Sequence, residues 1–498
     1  MNRTLINTIT YTLLSFLLAG CTIGPKYSRP PTPADTTEGY FHLGKHTQDP
    51  NDLTKNENWW RHFGDPVTTK LVTQALTNNY NLKAAAARVI QATERLAETK
   101  GRQLPDVTYN FSRDRNQRSF NFGGIGGGGR FKNLSTTYTQ DLSVVYILDL
   151  FGKLKHSEKA AWADMLAAQA NEQTLINSII ALVINTRVDI ATIQRRLDIA
   201  RANTESRRKT LEIVERRYKQ GLVSPVDVRL ARENLAAAKT LEPAIELSLI
   251  TAHNALDVLL AFRPGTSPDL PQTLADLPDL ESVPVGLPAS LLDRRPDVMA
   301  AELALRAANE RVAVTIAQLY PDLTLTGSYG FTGDRFEDIF LREAEIYSAI
   351  FRVAQPIFKG GQLRAQVRGA EARYAELAAD YSGTVLTALR EVEDALAGEQ
   401  MLEIQLNYAK NQLIEAQAAE NLSRQRYQRG VEGILTVLET ERRRRIAEEQ
   451  LTILKGRIWT TRVNLFLALG GNWTQDEQTE QGQNRIAYYE KKTNKSRQ

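Results

Sequence analysis

The chain has 498 residues, 62 of them Lys or Arg and 58 Asp or Glu, for a formal net charge of +4. Charge this evenly balanced argues against the concentrated basic surface of a nucleic-acid binder. A lone cysteine excludes internal disulfides and zinc–thiolate sites, and the five histidines form no HExxH pattern. No GxSxG or other nucleophile–base motif occurs, so the sequence points to no catalytic residue, no metal and no bound cofactor.

Residues 1–20 read as an export signal: Arg3 gives the positive start, and Leu5 to Leu18 form an apolar run too short for a comfortable membrane span. Leu18-Ala19-Gly20-Cys21 resembles the lipobox of bacterial lipoproteins, in which the cysteine becomes the acylated first residue. That resemblance implies diacylglycerol and an N-acyl chain on Cys21. With Thr22 rather than Asp following, it also implies an outer-membrane destination. Residues 21–64 read as a lipidated, extended, Pro-rich segment, in which His42 and His46 are solvated loop residues rather than a metal pair. After residue 21 no apolar run is long enough for a transmembrane helix, so any crossing must be a β-barrel.

Residues 65–270 read as a first structural unit. Leu71 to Lys100 is a helix that Pro105 stops. Val107, Tyr109 and Phe111 alternate with polar residues as a strand with one apolar face, and Leu142, Val144, Tyr146 and Leu148 alternate on the way back, a hairpin over 105–148. The glycine run 123–129 lacks GxxxxGK[ST] and reads as a hairpin tip, not a phosphate loop. Leu154 to Lys219 contains neither Pro nor Gly; at ~1.5 Å per residue such a helix spans about 100 Å. Ile193, Leu197, Ala200, Thr204, Arg207, Leu211, Val214 and Tyr218 trace a heptad seam, interrupted at Thr204 and Arg207. Gly221 to Pro225 break the helix, and a return helix runs from Val226 to about Leu260.

The pattern then repeats. After a linker over 271–293, residues 294–473 form a second unit, with a hairpin over 322–357, a long helix, a turn over 427–439 and a return helix. Asn81-Leu82-Lys83-Ala84-Ala85 resembles Asp297-Val298-Met299-Ala300-Ala301, and Pro105-Asp106 recurs as Pro321-Asp322. Asp149-Leu150-Phe151-Gly152-Lys153 resembles Pro356-Ile357-Phe358-Lys359-Gly360, and Arg217-Tyr218-Lys219-Gln220-Gly221 recurs as Arg426-Tyr427-Gln428-Arg429-Gly430. Each half is one unit of about two hundred residues, too long for a solenoid repeat. Two hairpins make four strands, whereas a closed barrel needs about eight or more, so closure requires several chains. Residues 474–498 form a polar, flexible tail.

The order of landmarks resembles the outer-membrane factor (TolC-like) family of tripartite efflux and secretion systems, in its NodT-type lipoprotein branch. The markers are Gly24-Pro25-Lys26-Tyr27 with Arg29-Pro30, Trp59-Trp60 with Phe63-Gly64-Asp65-Pro66, Arg294-Arg295-Pro296-Asp297-Val298, Pro356-Ile357-Phe358 with Gly360-Gly361, and Ala468-Leu469-Gly470-Gly471-Asn472-Trp473. The resemblance implies a mixed α+β, mostly α fold. In it a homotrimer forms a twelve-stranded transmembrane β-barrel continuous with a long periplasmic α-helical, coiled-coil tunnel. It implies a passive duct for drugs or other small toxic solutes, working with a periplasmic adaptor (membrane fusion protein) and an inner-membrane pump of RND type.

The family places its periplasmic gate at the two helical turns. By resemblance, Asp227 accepts a hydrogen bond from Tyr427, and Glu439 projects into the closed aperture as a ring of three carboxylates, whose mutual repulsion should couple their titration and raise at least one apparent pKa. Leu435 or Leu438 supplies an apolar constriction. Thr436 stands where some relatives carry a second aperture Asp. Glu432 stands where some carry an Arg, and leaves either Arg429 or Arg426 to complete the lock. Gly221, Leu222 and Val223, with Gly430 and Val431, are the expected adaptor-docking surface. Arg442 to Arg445 read as a solvated face able to steer an acidic adaptor or anionic solutes. A type I protein-secretion channel is the alternative within the family. A pore-free periplasmic adaptor or scaffold lipoprotein is the alternative outside it, distinguished by its lack of whole-chain duplication.

Overall fold

A computed structural model describes residues 23–35, 39–42, 58–122, 129–266, 270 and 294–471. Cys21, His46, the 271–293 linker, most of the glycine run and the tail after Trp473 lie outside these residues. The elements in chain order are α1 (Pro66–Asn78), α2 (Tyr80–Gly101), β1 (Asp106–Phe122), β2 (Gly129–Leu148), α3 (Lys153–Lys219) and α4 (Pro225–Leu259). The second half supplies α5 (Pro296–Ala317), β3 (Asp322–Gly333), β4 (Glu345–Ala354), α6 (Gln362–Gln428) and α7 (Ile434–Ala468).

The helix expected over 71–100 is two helices. Asp65 caps α1, accepting from Val67 N at 3.0 Å and Thr68 N at 3.3 Å, with Pro66 in the first turn. Asn79 then interrupts the run. Its side-chain oxygen accepts from Asn81 N at 2.8 Å and Leu82 N at 3.3 Å, opening α2, while its amide donates to Leu259 O at 2.9 Å. A buried Asn that satisfies three backbone groups outweighs one more helical residue.

The chain divides into two compact units. One gathers residues up to Pro30 with Ile90–Ala168 and Ala301–Tyr381; the other gathers Pro31–Val89, Gln169–Ala300 and Ser382 onward. The first holds an antiparallel sheet of order β1-β2-β3-β4. Its register places Tyr109 beside Leu142, Leu142 beside Tyr329 and Tyr329 beside Tyr347, all on one face. Asn110, Ser143, Thr139 and Ser328 occupy the other face. There Asn110 Nδ2 donates to Asp141 at 3.2 Å, and the hydroxyls of Ser328 and Ser348 pair at 2.7 Å. One face is therefore rich in aromatic and aliphatic side chains and the other mostly polar, although Val145, Ile147 and Ile350 fall on the polar side. The edge strands β1 and β4 each pair on one side only. In the same unit the N-terminal segment lies along α5. Tyr27 Oη donates to Glu302 at 3.2 Å, Arg29 Nη2 donates to Glu302 at 2.6 Å, and Asn309 Nδ2 donates to Pro25 O at 3.1 Å.

The second unit is a helical body around an aromatic core. Trp59 stacks on Phe466 with centroids 5.4 Å apart, and Phe63 packs on Trp459 at 5.0 Å. Ile180, Ile184 and Ile190 of α3 and Leu465 of α7 close around them. Among the described residues one helix, α3, is apolar enough over 18 residues to pass for a membrane span, which corrects the expectation that none would. Of that window 61% is buried inside the chain, which is the environment of a core helix. The expected heptad seam is buried at Leu197, Ala200, Arg207 and Val214 and ends before Tyr218, which is exposed.

Candidate functional site: the paired helical turns

The two turns close with the same backbone motif. After α3, Gly221 N donates to Tyr218 O at 2.9 Å and Leu222 N to Arg217 O at 3.0 Å; after α6, Gly430 N donates to Tyr427 O at 3.0 Å and Val431 N to Arg426 O at 3.1 Å. Both glycines are left-handed, with φ of 72° and 79°. Each turn is thus a Schellman stop, the reason for Gly at the fifth place of the repeated Arg-Tyr-x-x-Gly.

The return helices start differently. Ser224 and Asp227 form a capping box at α4: Ser224 N donates to Asp227 Oδ2 at 2.9 Å, and Asp227 N to Ser224 Oγ at 3.4 Å. Gly433 heads α7 with no side-chain cap. The Asp227 carboxylate is therefore spent on its own helix, and the expected hydrogen bond from Tyr427 is not made. Among the described residues the Tyr427 hydroxyl has no hydrogen-bond partner, and the residue is only 3% exposed. An acid at the third helical position satisfies an orphan N–H and meets the helix dipole, which favours the local partner over a distant phenol.

What holds Tyr427 is Arg217. Its guanidinium lies over the ring at 4.7 Å from the centroid, and its Nη1 donates to Tyr427 O. Around the ring Val214, Val228, Ala231, Ile434, Val437 and Leu438 form an apolar plug joining α3, α4 and α7. Burial pushes the Tyr427 phenol above its usual value; Arg217 opposes this and Asp227 adds to it. The sequence carries Arg217 in the repeated motif, but nothing in it marks which of the two Arg-Tyr pairs is buried. Tyr218 is exposed, and Arg426 turns to Glu432 at 3.5 Å.

That last pair answers part of the Glu432 question. Arg426 faces Glu432, and Thr436 Oγ1 donates to the same carboxylate at 2.9 Å. Leu435 is 64% exposed, whereas Leu438 is 7% exposed and belongs to the plug, so of the two constriction candidates only Leu435 is free to project. Glu439 is gripped by Arg442 at 2.9 Å and Arg443 at 2.7 Å. Within the single chain those two arginines pull its carboxyl down to about 2. Arg444 is paired with Glu420 and with Glu448 at 2.6 Å, and Arg445 with Glu449 at 3.0 Å. Each of the four arginines thus has an acidic partner, but Arg442 and Arg443 share the one carboxylate of Glu439 and both are exposed, so the run keeps positive charge at the surface. Leu222 and Val431 are exposed at the turn apices, while Val223 packs partly against the plug.

Next to the plug lies a buried charged layer. Thr210 Oγ1 donates to Glu441 Oε1 at 2.9 Å, and Arg424 bridges Glu441 at 3.0 Å and Glu420 at 2.9 Å. Elsewhere His42 lies exposed in a turn, as expected of a solvated loop residue, with its Nδ1 3.0 Å from a Glu393 carboxylate oxygen. Among the described residues no cluster of His, Cys, Asp and Glu could hold a metal ion.

The family model for "Outer membrane efflux protein" matches residues 71–261 and 287–471, one segment per half. The chain is 31% identical over 469 residues to the probable efflux pump outer membrane protein SepC of Pseudomonas putida, covering 92% of this chain and 96% of SepC. It is 27% identical to the probable outer membrane lipoprotein SilC of Salmonella typhimurium, covering 92% of this chain and 97% of SilC. The solved outer-membrane channel OprN superposes with a TM-score of 0.80 at 29% identity, over 91% of this chain and all of that one. A match that takes in both halves removes the pore-free adaptor alternative, which called for no duplication. From the doubled fold, the paired turns and these similarities, the chain belongs to the outer membrane efflux protein family.

Proposed function

We propose that three copies of the chain assemble into the outer-membrane exit duct of a tripartite efflux system. The duct passes small toxic solutes from an inner-membrane pump of RND type, through a periplasmic adaptor, to the exterior. The carrying observation is the four-stranded sheet, with one apolar face, one mostly polar face and two edges that pair on one side only. In a bilayer every unpaired backbone group costs several kcal/mol, so such a sheet must close on other copies of itself. Two copies would give eight strands, whose interior is filled by side chains; three give twelve and leave a lumen.

The N-terminal strap supports lipidation at Cys21. Ile23 N donates to Phe151 O at 3.4 Å, so the described N-terminal segment starts next to the end of β2. Several acyl chains anchor a protein stably where one does not. At the turns, the exposed Leu222 and Val431, with Gly221, Val223 and Gly430, form the surface on which the adaptor docks. The Arg217–Tyr427 plug keeps the hairpins together when the duct is closed. Leu435, Thr436 and Glu439 face the aperture.

Native mass of the detergent-solubilised protein, combined with planar-bilayer recording, tests the assembly. Three chains per conducting particle, each with a lipidated Cys21 at its mature N-terminus by intact mass, are the expected result. A conducting monomer or dimer would sink the trimer, and an unmodified thiol would sink the anchor.

A further inference from the structure

The apolar face of the sheet is graded along the strands. The register sets Leu148, Leu323 and Val353 in one row and, further along, Tyr109, Leu142, Tyr329 and Tyr347 in another. Phe111 follows Tyr109 on the same face of β1, and Phe336 from the β3–β4 connection packs edge-on against it at 6.2 Å and against Tyr138 at 5.9 Å. Beyond this aromatic belt the same face turns basic. Arg113 is paired in register with Tyr138 and lies over its ring at 5.5 Å; Arg115 follows opposite Thr136, and Lys132 stands opposite Ser119. All three side chains are exposed. Neither Arg115 nor Lys132 forms an ion pair among the described residues.

Aliphatic, then aromatic, then basic is the order of environments met on leaving a bilayer: hydrocarbon, interface, charged headgroups. Arg or Lys on a barrel's lipid face costs ~2–4 kcal/mol at the midplane but only ~0–1 near the interface. Near an anionic surface each such residue gains about 1 kcal/mol. The acids on these two strands near the row, Asp114 on β1 and Asp141 on β2, fall on the opposite, mostly polar face, and Asp334, Glu337, Asp338 and Glu343 belong to the β3–β4 connection.

We propose that Arg113, Arg115 and Lys132 form an outward strip that binds the phosphate groups of outer-leaflet lipid, fixing the depth and tilt of the barrel. This rests on the reading that the sheet spans the outer membrane.

The test uses full-length protein in detergent, titrated with bis-phosphorylated lipid A and with its dephosphorylated counterpart, and read by native mass. Wild type should bind the phosphorylated lipid more tightly, and increasing salt should weaken that binding. Replacing all three residues with Gln should weaken it on the order of a hundred-fold, and each single change about five-fold. Arg118→Gln, on the polar face one position away, should leave it unchanged. The singles decide the matter if the triple variant does not fold. Unchanged affinity in the variants, equal weakening by Arg118→Gln, or displacement of the lipid by inorganic phosphate alone overturns the strip. A separate arm measures insertion of wild type into phosphatidylcholine vesicles. Failure to insert there sinks the membrane reading itself, whereas insertion with unaltered lipid A affinity sinks only the strip.

Discussion

Arg217 lies over the ring of Tyr427, its guanidinium carbon 4.7 Å from the centroid, and the two residues come from opposite halves of the duplication. This contact ties the α3 end of one hairpin to the α6 end of the other. Arg217→Ala should therefore loosen the closed turns, costing about 1–2 kcal/mol in lost cation–π and hydrogen-bond energy. Single-channel recording should show a raised conductance or open probability. Tyr427→Phe removes a hydroxyl that has no partner and should be neutral or slightly stabilising, with the channel still closed. A Tyr427→Phe channel as open as Arg217→Ala would restore the phenol as the lock.

Asp227 acts on its own helix. Asp227→Ala should cost about 1 kcal/mol through loss of the capping box at α4. Asp227→Asn, which keeps an acceptor oxygen at the same place, should recover most of it. Thermal melting separates the outcomes: if Asn is as damaging as Ala, the charge toward Tyr427 matters more than the cap.

The repeated Arg-Tyr-x-x-Gly makes both turns legible in the sequence alone, because a Schellman stop needs Gly in the left-handed region and so leaves its mark in the residue order. The hairpins are legible for a similar reason: Val107, Tyr109 and Phe111 must alternate if one face is apolar. What stays hidden depends on tertiary choice. Nothing local distinguishes buried Tyr427 from exposed Tyr218, or sends Arg426 to Glu432 and Arg217 to the ring. The break at Asn79 is only half legible locally: its side-chain oxygen caps α2 by accepting from Asn81 N and Leu82 N, but its amide donates to Leu259 O, far along the chain, which no local pattern marks. Of the acidic partners of the arginines after Glu439, Glu439 itself, Glu448 and Glu449 are local to the same helix, and only Glu420, which pairs with Arg444 from α6 across the turn, is hidden from a local reading.

Arg462 and Glu399 join α7 to α6 as a buried pair, 3% and 8% exposed, with Nη2 donating to Oε2 at 2.9 Å. Removing one partner strands a charge away from water. Glu399→Ala should cost about 3–5 kcal/mol, whereas replacing the pair with Leu and Met should cost little or nothing. Denaturant unfolding of the assembled protein checks this. Equal losses from the single and double changes would mean that packing, not the stranded charge, sets the cost.

Gly221 and Gly430 should respond alike to alanine. A Cβ at Gly221 meets nothing within 4 Å, and one at Gly430 meets only Arg217 Nη2 at 3.6 Å, so the penalty is that of backbone conformation alone. Each change should cost about 1–2 kcal/mol and open the turn that carries it. Asn, which tolerates the left-handed region better, should cost less at both. A neutral Gly221→Ala with a damaging Gly430→Ala would locate the gate in the second hairpin only.

Glu439 should stay ionised far into acid. Arg442 and then Arg443 hold its carboxyl at about 2, below the ordinary 4.5. With the folded value depressed, the contribution of these contacts is fully present above about pH 4.5 and is lost as pH falls toward 2. The side chain is exposed, so salt should screen the effect and the stability change should be small. The larger consequence is for permeation. A carboxylate at the aperture that does not titrate keeps its preference for cations across the neutral and mildly acidic range. Reversal potentials in asymmetric salt should therefore be flat from pH 7 down to about pH 3 in wild type, and shifted toward non-selectivity at every pH in Glu439→Ala. In Arg442→Gln with Arg443→Gln the carboxylate returns to its ordinary range, and selectivity should fall off near pH 4.5 instead. If wild type already loses cation preference there, crowding of the three carboxylates across the assembled aperture outweighs the arginine pair within each chain.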